Sequence, residues 1–305
     1  MNAWSAAPGA QVRGVLAGIA LVVCAVACFA ALDTTTKYII TGVPLMMALW
    51  FRYAFQAVAT TLVVLPLRGT RALRTLHPRF HCLRGVLLLA SSLFAFASLR
   101  YMPVGEFTAI VMITPLAITL LAARVLKERV SAMRWTLVCG GFLGTLVIIR
   151  PGGDAFDWPS LLPIGLVATN AWFQVLTSRL ARTEDPLTMH LYTGWVGTLV
   201  SSLALPFSWA DLGDPWLWVA LCVIGALGTI GHFLLILAYQ RAPAATLTPY
   251  LYLQIAFAML GGWLVFAHVP QGWSMAGMAL IAVCGAGGAW LTVRENRPLA
   301  EPRPL

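Results

Sequence analysis

The sequence predicts an all-α polytopic membrane protein, with ten transmembrane helices arranged as two inverted repeats of five helices. Three observations support this fold class: the composition, the spacing of the apolar segments and an internal repeat. Of the 305 residues, 60% are apolar and only 10% are charged, whereas a soluble domain averages roughly 45–50% and about 25%. A soluble core of this length could not bury so much apolar surface. The same numbers exclude a disordered chain and a disulfide scaffold.

Ten apolar segments account for most of the chain, and each is long enough to cross about 30 Å of hydrocarbon at about 1.5 Å per residue. They cover residues 14–40, 44–66, 82–101, 103–124, 132–149, 158–180, 186–207, 215–240, 243–267 and 272–293. We expect a cytoplasmic N-terminus at 1–13, a first repeat at 14–150, a second repeat at 158–293 and a cytoplasmic tail at 294–305. The connections are short, so a separate soluble domain is not expected.

The distribution of basic residues predicts the orientation in the membrane. With the N-terminus in the cytoplasm, 16 of the 20 Lys and Arg residues fall on the cytoplasmic side, and Lys37, Arg100 and Arg150 fall on the other. Because cytoplasmic loops collect basic residues, we expect both termini inside, in the cytoplasmic (inner) membrane. The net charge of +9 is then an orientation signal and does not indicate a nucleic-acid partner.

The two halves of the chain resemble each other at a shift of about 140 residues. Pro103-Val104-Gly105-Glu106-Phe107-Thr108 matches Pro243-Ala244-Ala245-Thr246-Leu247-Thr248, and Pro44-Leu45 matches Pro186-Leu187. Because each half has five spans, an odd number, the second half enters the membrane in the opposite orientation. Inverted repeats of this kind are typical of secondary transporters, which bind their substrate near the midplane between the halves.

Several short motifs are spread over most of the chain. They are Asp33-Thr34-Thr35-Thr36-Lys37-Tyr38, Phe51-Arg52-Tyr53, Leu83-Arg84-Gly85, Pro103 to Ile110 with Thr114-Pro115-Leu116, Leu126-Lys127-Glu128-Arg129, Arg150-Pro151-Gly152 and Thr248 to Gln254. In these motifs the chain resembles the ten-span EamA-type carriers of the drug/metabolite transporter superfamily. The resemblance implies a carrier of aromatic amino acids, S-adenosylmethionine, riboflavin or another amphipathic metabolite. Where the second repeat of such carriers usually has an acidic residue matching Glu128, this chain has Phe266-Ala267-His268-Val269.

Three ionisable residues in the first two spans are candidates for the substrate pathway, because a charge at the centre of a span costs at least about 2.5–3.5 kcal/mol. Asp33 and Arg52 lie at similar depths from the outer end, and Lys37 follows Asp33 by one helical turn. Two interpretations remain open. Either the three shape the outer mouth of the pathway or bind a substrate carboxylate, or Asp33 and Arg52 form a structural ion pair while Lys37 reaches the surface.

Glu106 and His232 are further candidates in the fourth and eighth spans. Glu106 lies one turn into its span, where the helix dipole favours an acid, so it either caps the helix or takes part in transport. His232 lies among glycines and titrates near neutral pH. It is either a hydrogen-bonded packing residue or, together with Asp33, a candidate for carrying a coupling proton.

Two prolines, Pro115 and Pro249, lie inside the fourth and ninth spans, and each removes a backbone hydrogen bond. In carriers such breaks often line a cavity, although a harmless kink is the alternative. Close to the second break and in the sixth span, amide and aromatic side chains suit a flat substrate with a polar end. These residues are Asn170, Trp172, Gln174, Tyr250, Tyr252 and Gln254.

The expected function is secondary-active transport of a small amphipathic metabolite (an amino acid, a nucleoside-like or a flavin-like solute) by alternating access. The alternatives are a polytopic membrane enzyme and a channel. The sequence has no HExxH motif, Walker loop or paired acidic cluster, so we expect no catalytic site, metal or cofactor. The expected partners are the substrate, the lipid bilayer and a coupling proton. A face of small residues at Gly140 and Gly144 is compatible with a monomer or a homodimer.

Overall fold

The structure, a computed structural model, describes residues 8–40, 42–101, 107, 110–149, 161–267 and 272–295. Nearly all of them are helical, and these residues contain no β-strand, which confirms the predicted all-α class. The helices are α1 (Pro8–Ile39), α2 (Leu45–Arg68), α3 (Pro78–Tyr101), α4 (Thr114–Val125), α5 (Ala132–Ile149), α6 (Leu161–Leu180), α7 (Pro186–Ser202), α8 (Pro215–Arg241), α9 (Ala244–Leu251), α10 (Leu253–Phe266) and α11 (Gly272–Glu295).

Each predicted span contains a helix, with α9 and α10 together in the ninth and α11 in the tenth. The bounds differ most in the fourth span, where α4 begins at Thr114, and in the seventh, where α7 ends at Ser202. Among the described residues, six helical stretches are long and apolar enough to cross a membrane: α1, α2, α3, α6, α8 and the α9–α10 pair. Helix α4 and part of α11 are shorter apolar helices. Large apolar side chains lie on the outer surface of the bundle, as Leu62, Leu264 and Val283 show. Lipid tails would cover such a surface in a membrane protein.

The packing of the helices repeats itself when each helix is exchanged for the one five spans away. The α1–α8 contact has its counterpart in α3–α6, the α2–α8 contact in α3–α7, and the contact of α1 with α9 and α10 in α4–α6. Three further contacts each join a helix to the helix five spans away, so the exchange leaves them unchanged: α2–α7, α4–α9 and α5–α11. This pattern is the one that a two-fold axis between two inverted repeats would produce.

Individual contacts follow the same rule, at a shift of 140 or 141 residues. A Cβ added to Gly85 would lie 2.7 Å from Val196, and one added to Gly225 would lie 2.5 Å from the Cβ of Phe55. Gly85 is the counterpart of Gly225, and Phe55 is the counterpart of Val196. At both positions glycine is required because the neighbouring helix approaches too closely for a side chain.

The breaks in the fourth and ninth spans are also related by the repeat. The chain turns at Met112 and Ile113 before α4 begins, and it turns at Tyr252, 140 residues after Met112, between α9 and α10. Pro115 lies in the first turn of α4, where its missing N–H is tolerated. Pro249 lies inside α9, three residues before the second break.

The carbonyl that Pro249 leaves without its helical donor is satisfied by a neighbouring hydroxyl. Thr248 Oγ1 donates to the Ala245 carbonyl at 3.1 Å, four residues before the proline. Thr119 Oγ1 of α4 lies 3.0 Å from Thr248 Oγ1. The two broken spans are therefore joined by hydroxyls where they cross.

The small-residue face predicted at Gly140 and Gly144 is occupied within the bundle. A Cβ at Gly140 would lie 2.7 Å from Cys284 Sγ, and a Cβ at Gly144 would lie 2.9 Å from Ile281. Gly18 likewise faces Arg241 of α8. These faces therefore bring α5 against α11 and α1 against α8 of the same chain.

We expect Gly225→Ala to destabilise the protein by about 1–3 kcal/mol, the usual cost of an overpacked core, despite the better helix propensity of alanine. Thermal unfolding in detergent measures this effect. The matched control is Gly285→Ala in α11, where an added Cβ meets nothing within 4 Å. If Gly225→Ala is as stable as Gly285→Ala, the close approach of α2 to α8 is not a packing constraint.

Candidate functional site

A cavity of about 230 Å³ lies between the repeats, walled by α1, α3, α4, α6, α8 and α10. We call the end of the bundle at which α1 begins the inner end and the end at which α1 finishes the outer end. The cavity runs from the outer end towards the middle of the bundle. Most of its wall is apolar, with aromatic rings from Phe29, Phe96 and Phe107. Its polar side chains are Asp33, Thr34, Lys37, Arg52, Ser91, Thr114, Asn170, Gln174, His232 and Gln254.

The wall formed by α1 and α10 holds one acid and one base. Asp33 Oδ2 accepts a hydrogen bond from Gln254 Nε2 at 2.9 Å. The Lys37 ammonium lies 5.2 Å from the centre of the Phe266 ring, within the range of a cation–π contact. Both charged groups line the cavity, so a bound molecule can reach them.

On the opposite wall, Arg52 joins α2 to α3 and α8. The side chain is buried, with 7% exposure, and it donates to Ser92 Oγ and to His232 Nε2, the latter at 2.9 Å. Because a guanidinium can only donate, His232 Nε2 is the acceptor, and the imidazole is neutral with its hydrogen on Nδ1. Tyr53, whose hydroxyl also lies 2.9 Å from Ser92 Oγ, supports this arrangement.

The ion pair between Asp33 and Arg52, one of the two sequence interpretations, is not formed. Arg52 is held by Ser92 and His232, and Asp33 by Gln254. The two charges face the same cavity from different walls. The other interpretation, in which both belong to the outer part of the pathway, stays a prediction.

The sixth span supplies an amide ladder at the bottom of the cavity. Gln174 Nε2 donates to Asn170 Oδ1 at 2.6 Å, and Tyr239 donates its hydroxyl hydrogen to Gln174 Oε1 at 2.6 Å. Asn170 and Gln174 line the cavity. Tyr239 lies beyond it and is buried, so the ladder leads from the cavity floor towards the inner end.

Several of the predicted pathway residues do not line the cavity. Trp172 is 48% exposed on the outer surface of the bundle, whereas Pro249, Tyr250 and Tyr252 are buried in helix packing. The Tyr252 ring lies against Gly141 of α5. Pro115 does line the cavity. Glu106 lies outside the described residues.

At the inner end the two repeats are joined by a clamp on Glu128, in the loop between α4 and α5. Its carboxylate accepts from Arg182 Nη2 at 2.6 Å, after the end of α6, and from the Ala245 N–H at 3.1 Å, in the first turn of α9. Between this clamp and the cavity lies the largest buried apolar cluster of the described residues, which includes Ile118, Ala122 and Leu247. Glu128 therefore ties the first repeat to the second at the inner end.

Arg84 is buried, although the orientation argument counted it with the basic residues of the cytoplasmic loops. It lies in α3 with 1% exposure. Its guanidinium donates to Thr177 Oγ1 at 2.7 Å and to the Met189 carbonyl at 2.8 Å, and it lies 4.9 Å from the Phe173 ring centre. Its position two residues into the third predicted span, next to Gly85, is the signal that could have set it apart from the loop.

The comparisons with known proteins agree with this architecture. Residues 16–150 and 158–291 each match the EamA-like transporter family. The chain belongs to this family. Its two matched segments are the two repeats that pack around the cavity, and the predicted EamA-type carrier is confirmed.

Curated relatives of this EamA-family chain are named as transporters. The riboflavin transporter of Brucella anthropi is 32% identical over 85% of this chain and 93% of its own length. That of Vibrio cholerae is 30% identical over 88% and 92%. The S-adenosylmethionine uptake transporter of Rickettsia bellii is 27% identical over 82% and 85%. A solved crystal structure shares the fold, with a TM-score of 0.76 at 20% identity over 93% of this chain and 99% of that one.

These findings confirm a multi-pass membrane transporter of small metabolites rather than an enzyme. The relatives span nearly the whole chain, so the correspondence covers both repeats and the cavity between them. The substrate, the coupling ion and the transport cycle are matters for the proposals below.

Near the inner end, Glu184 predicts a dependence of stability on pH. Burial raises the pKa of this carboxyl, but hydrogen bonds from His77 and Thr75 and the nearby His81 outweigh that effect and hold the pKa below its ordinary value. Because the folded pKa is lowered, the stabilisation is present above the unfolded pKa of about 4.3 and is lost as pH falls through the folded pKa. Unfolding scans between about pH 3 and 7 should show a smaller acid loss for Glu184→Gln than for wild type. Equal slopes would contradict the assignment.

Proposed function

We propose that this protein carries a flat, uncharged heteroaromatic metabolite of the riboflavin type across the cytoplasmic membrane by alternating access. The cavity between the repeats is the observation that supports this proposal. The riboflavin transporters among the relatives, at 30–32% identity, favour the same substrate class.

The chemistry of the cavity fits a ring system with one polar edge. A flavin ring is flat, with an apolar benzenoid edge and an opposite edge of carbonyl and ring-nitrogen groups. Phe29, Phe96 and Phe107 offer aromatic surface for the flat faces, which favours stacked or edge-on contacts. Donors from Arg52 and acceptors such as Asn170 can pair with the polar edge, and such buried pairs determine specificity.

The charge of the cavity favours a neutral or anionic solute over a cationic one. Its charged groups are Lys37, Arg52 and Asp33, and His232 is neutral in its contact with Arg52. With Asp33 ionised, the formal charge is +1. S-Adenosylmethionine carries a sulfonium, an ammonium and a carboxylate group and so has a net charge of +1, which the net positive charge of the cavity opposes.

We expect Arg52→Gln to weaken riboflavin binding by about tenfold or more, because a hydrogen bond to a charged donor contributes about 1.5–3 kcal/mol. Quenching of flavin fluorescence by the purified protein measures the Kd, and a thermal scan checks that the variant is folded. The control is Trp172→Ala, which removes a residue outside the cavity and should leave the Kd unchanged. Tighter binding of S-adenosylmethionine than of riboflavin, or an equal effect of both variants, would refute the proposed substrate class.

We propose that a proton is exchanged at Asp33 or His232 during transport. Asp33 is held by an amide donor and His232 by a guanidinium, so protonation changes the hydrogen bond that each makes. Protonation of His232 would turn its acceptor nitrogen into a donor and release Arg52.

If this is so, Asp33→Asn or His232→Gln should flatten the pH dependence of riboflavin uptake into sealed vesicles between about pH 5 and 8. Both replacements keep a polar group, so the hydrogen-bonding partners are retained. Wild-type pH dependence in both variants would exclude these residues as carriers of the proton.

We further propose that both termini are cytoplasmic and that one chain is the transport unit. The excess of basic residues at the inner end supports the orientation. One chain supplies every wall of the cavity described here, and its glycine faces are used internally. A fluorescent fusion at the C-terminus tests the orientation, and light scattering of the detergent-solubilised protein distinguishes a monomer from a homodimer.

A further inference from the structure

The repeat relation, which holds at several independent places, pairs positions in the outer half of the bundle with positions in the inner half. Phe29 approaches Gly231, and their counterparts, Thr169 and Ser91, form a hydrogen bond of 2.9 Å. Lys127 and Ala267, 140 residues apart, are the two non-glycine residues with positive φ among the described residues, at 53° and 54°. The shift of 140 therefore holds for α1 with α6, for α3 with α8 and for the fourth span with the ninth.

Applied to the outer cavity, this relation selects a set of inner residues. Six residues that line the cavity are Lys37, Leu99, Phe107, Ala258, Gly262 and Phe266. Their counterparts are Thr177, Tyr239, Leu247, Ile118, Ala122 and Leu126, which we call the inner seam. Five of these are buried and the sixth is partly buried. The outer residues of these pairs thus line an open cavity, whereas their inner counterparts lie in closed packing.

The inner seam is continuous with the cavity and is closed at its far end by the Glu128 clamp. Tyr239 touches the cavity floor through its hydrogen bond to Gln174, and Leu126 lies two residues before Glu128. Arg84 donates to Thr177 Oγ1, so a buried cation lies beside the seam, as Arg52 does beside the cavity.

The sequence does not repeat the clamp at the corresponding positions of the other half. The counterparts of Glu128 and Arg182 in the sequence are His268 and Gly42, which cannot form a carboxylate–guanidinium pair. The two repeats therefore differ in the side chains at these two pairs of positions.

We propose that the inner seam is the second half of the substrate route and that the Glu128–Arg182 pair is the lock that keeps it closed, so that the protein rests open to the outer side. This inference rests on the proposed alternating-access function. In the opposite state the seam opens to the inner side and the cavity residues pack together as their counterparts do now.

Cysteine accessibility tests the proposal on a matched pair of positions. All six native cysteines, Cys24, Cys28, Cys82, Cys139, Cys222 and Cys284, are replaced by alanine, and one cysteine is then introduced. Gly262→Cys reports on the cavity, where an added Cβ meets nothing within 4 Å, and Ala122→Cys, its counterpart, reports on the seam. Ala238→Cys is the control, because Ala238 is fully buried beside Tyr239 and its counterpart, Ser98, does not line the cavity.

A charged, membrane-impermeant thiosulfonate is added to either face of oriented vesicles. In the ligand-free protein Gly262→Cys should react from the outer side and Ala122→Cys from neither side. Addition of Glu128→Gln should raise the reaction of Ala122→Cys from the inner side about tenfold, as loss of one charge-assisted pair allows, and lower that of Gly262→Cys. Arg182→Gln should act alike, and the double variant no more strongly, because both remove one interaction.

The outcomes separate this inference from the proposed function. If Ala122→Cys stays unreactive in both lock variants, or if Ala238→Cys becomes equally reactive, the seam is not the route and the proposal fails. Arg182 is exposed, so its variant keeps the test available if Glu128→Gln does not fold. Riboflavin uptake with a closed seam refutes only the lock and route, whereas an opened seam without riboflavin uptake refutes only the substrate.

Discussion

The odd number of membrane crossings in each repeat is the constraint on which the rest of the structure depends. Within a bilayer every backbone polar group must be satisfied internally, so the chain crosses as helices. Five helices per repeat bring the second repeat in upside down, and a two-fold axis then lies in the membrane plane. The paired turns at Met112 and Tyr252 and the paired left-handed residues Lys127 and Ala267 follow from this plan. Differences between the two ends must therefore come from side chains.

A second theme is how Asp33 and two buried arginines are held by neutral hydrogen-bond partners. Arg52 and Arg84 are buried, and the hydrogen-bond partners described for them are hydroxyl, imidazole and carbonyl groups. Asp33 is held by an amide. A buried ion pair would neutralise the cavity, and breaking it to admit a substrate would leave an uncompensated charge. Neutral partners satisfy the geometry of each charged group while leaving its charge available to a ligand.

The sequence identified cavity residues best where the residue type is costly in any membrane helix. It identified them less well where the direction of the side chain on its helix decides whether the residue lines the cavity. Asp33, Lys37 and Arg52 stand out because a charge inside a span is expensive wherever it points, and all three line the cavity. Trp172 and Tyr252 carry no such cost. The face that each presents depends on helix rotation and on the exact place of a break, which composition does not specify. Arg84 was hidden by its closeness to a basic loop.

The unequal ends of the bundle indicate what a substrate must do. Glu128 holds three segments together at the inner end, and a lock worth a few kcal/mol leaves the opposite state as a minor population that a ligand can select. In the sequence, Gly42 and His268 occupy the positions that correspond to Arg182 and Glu128, so this pair is not repeated in the other half. A molecule that contacts Asp33 on α1, Asn170 on α6 and Gln254 on α10 joins the corresponding helices. By this reasoning a bound substrate can itself join these helices at the outer end, and its binding energy shifts the equilibrium only as far as it favours the closed arrangement.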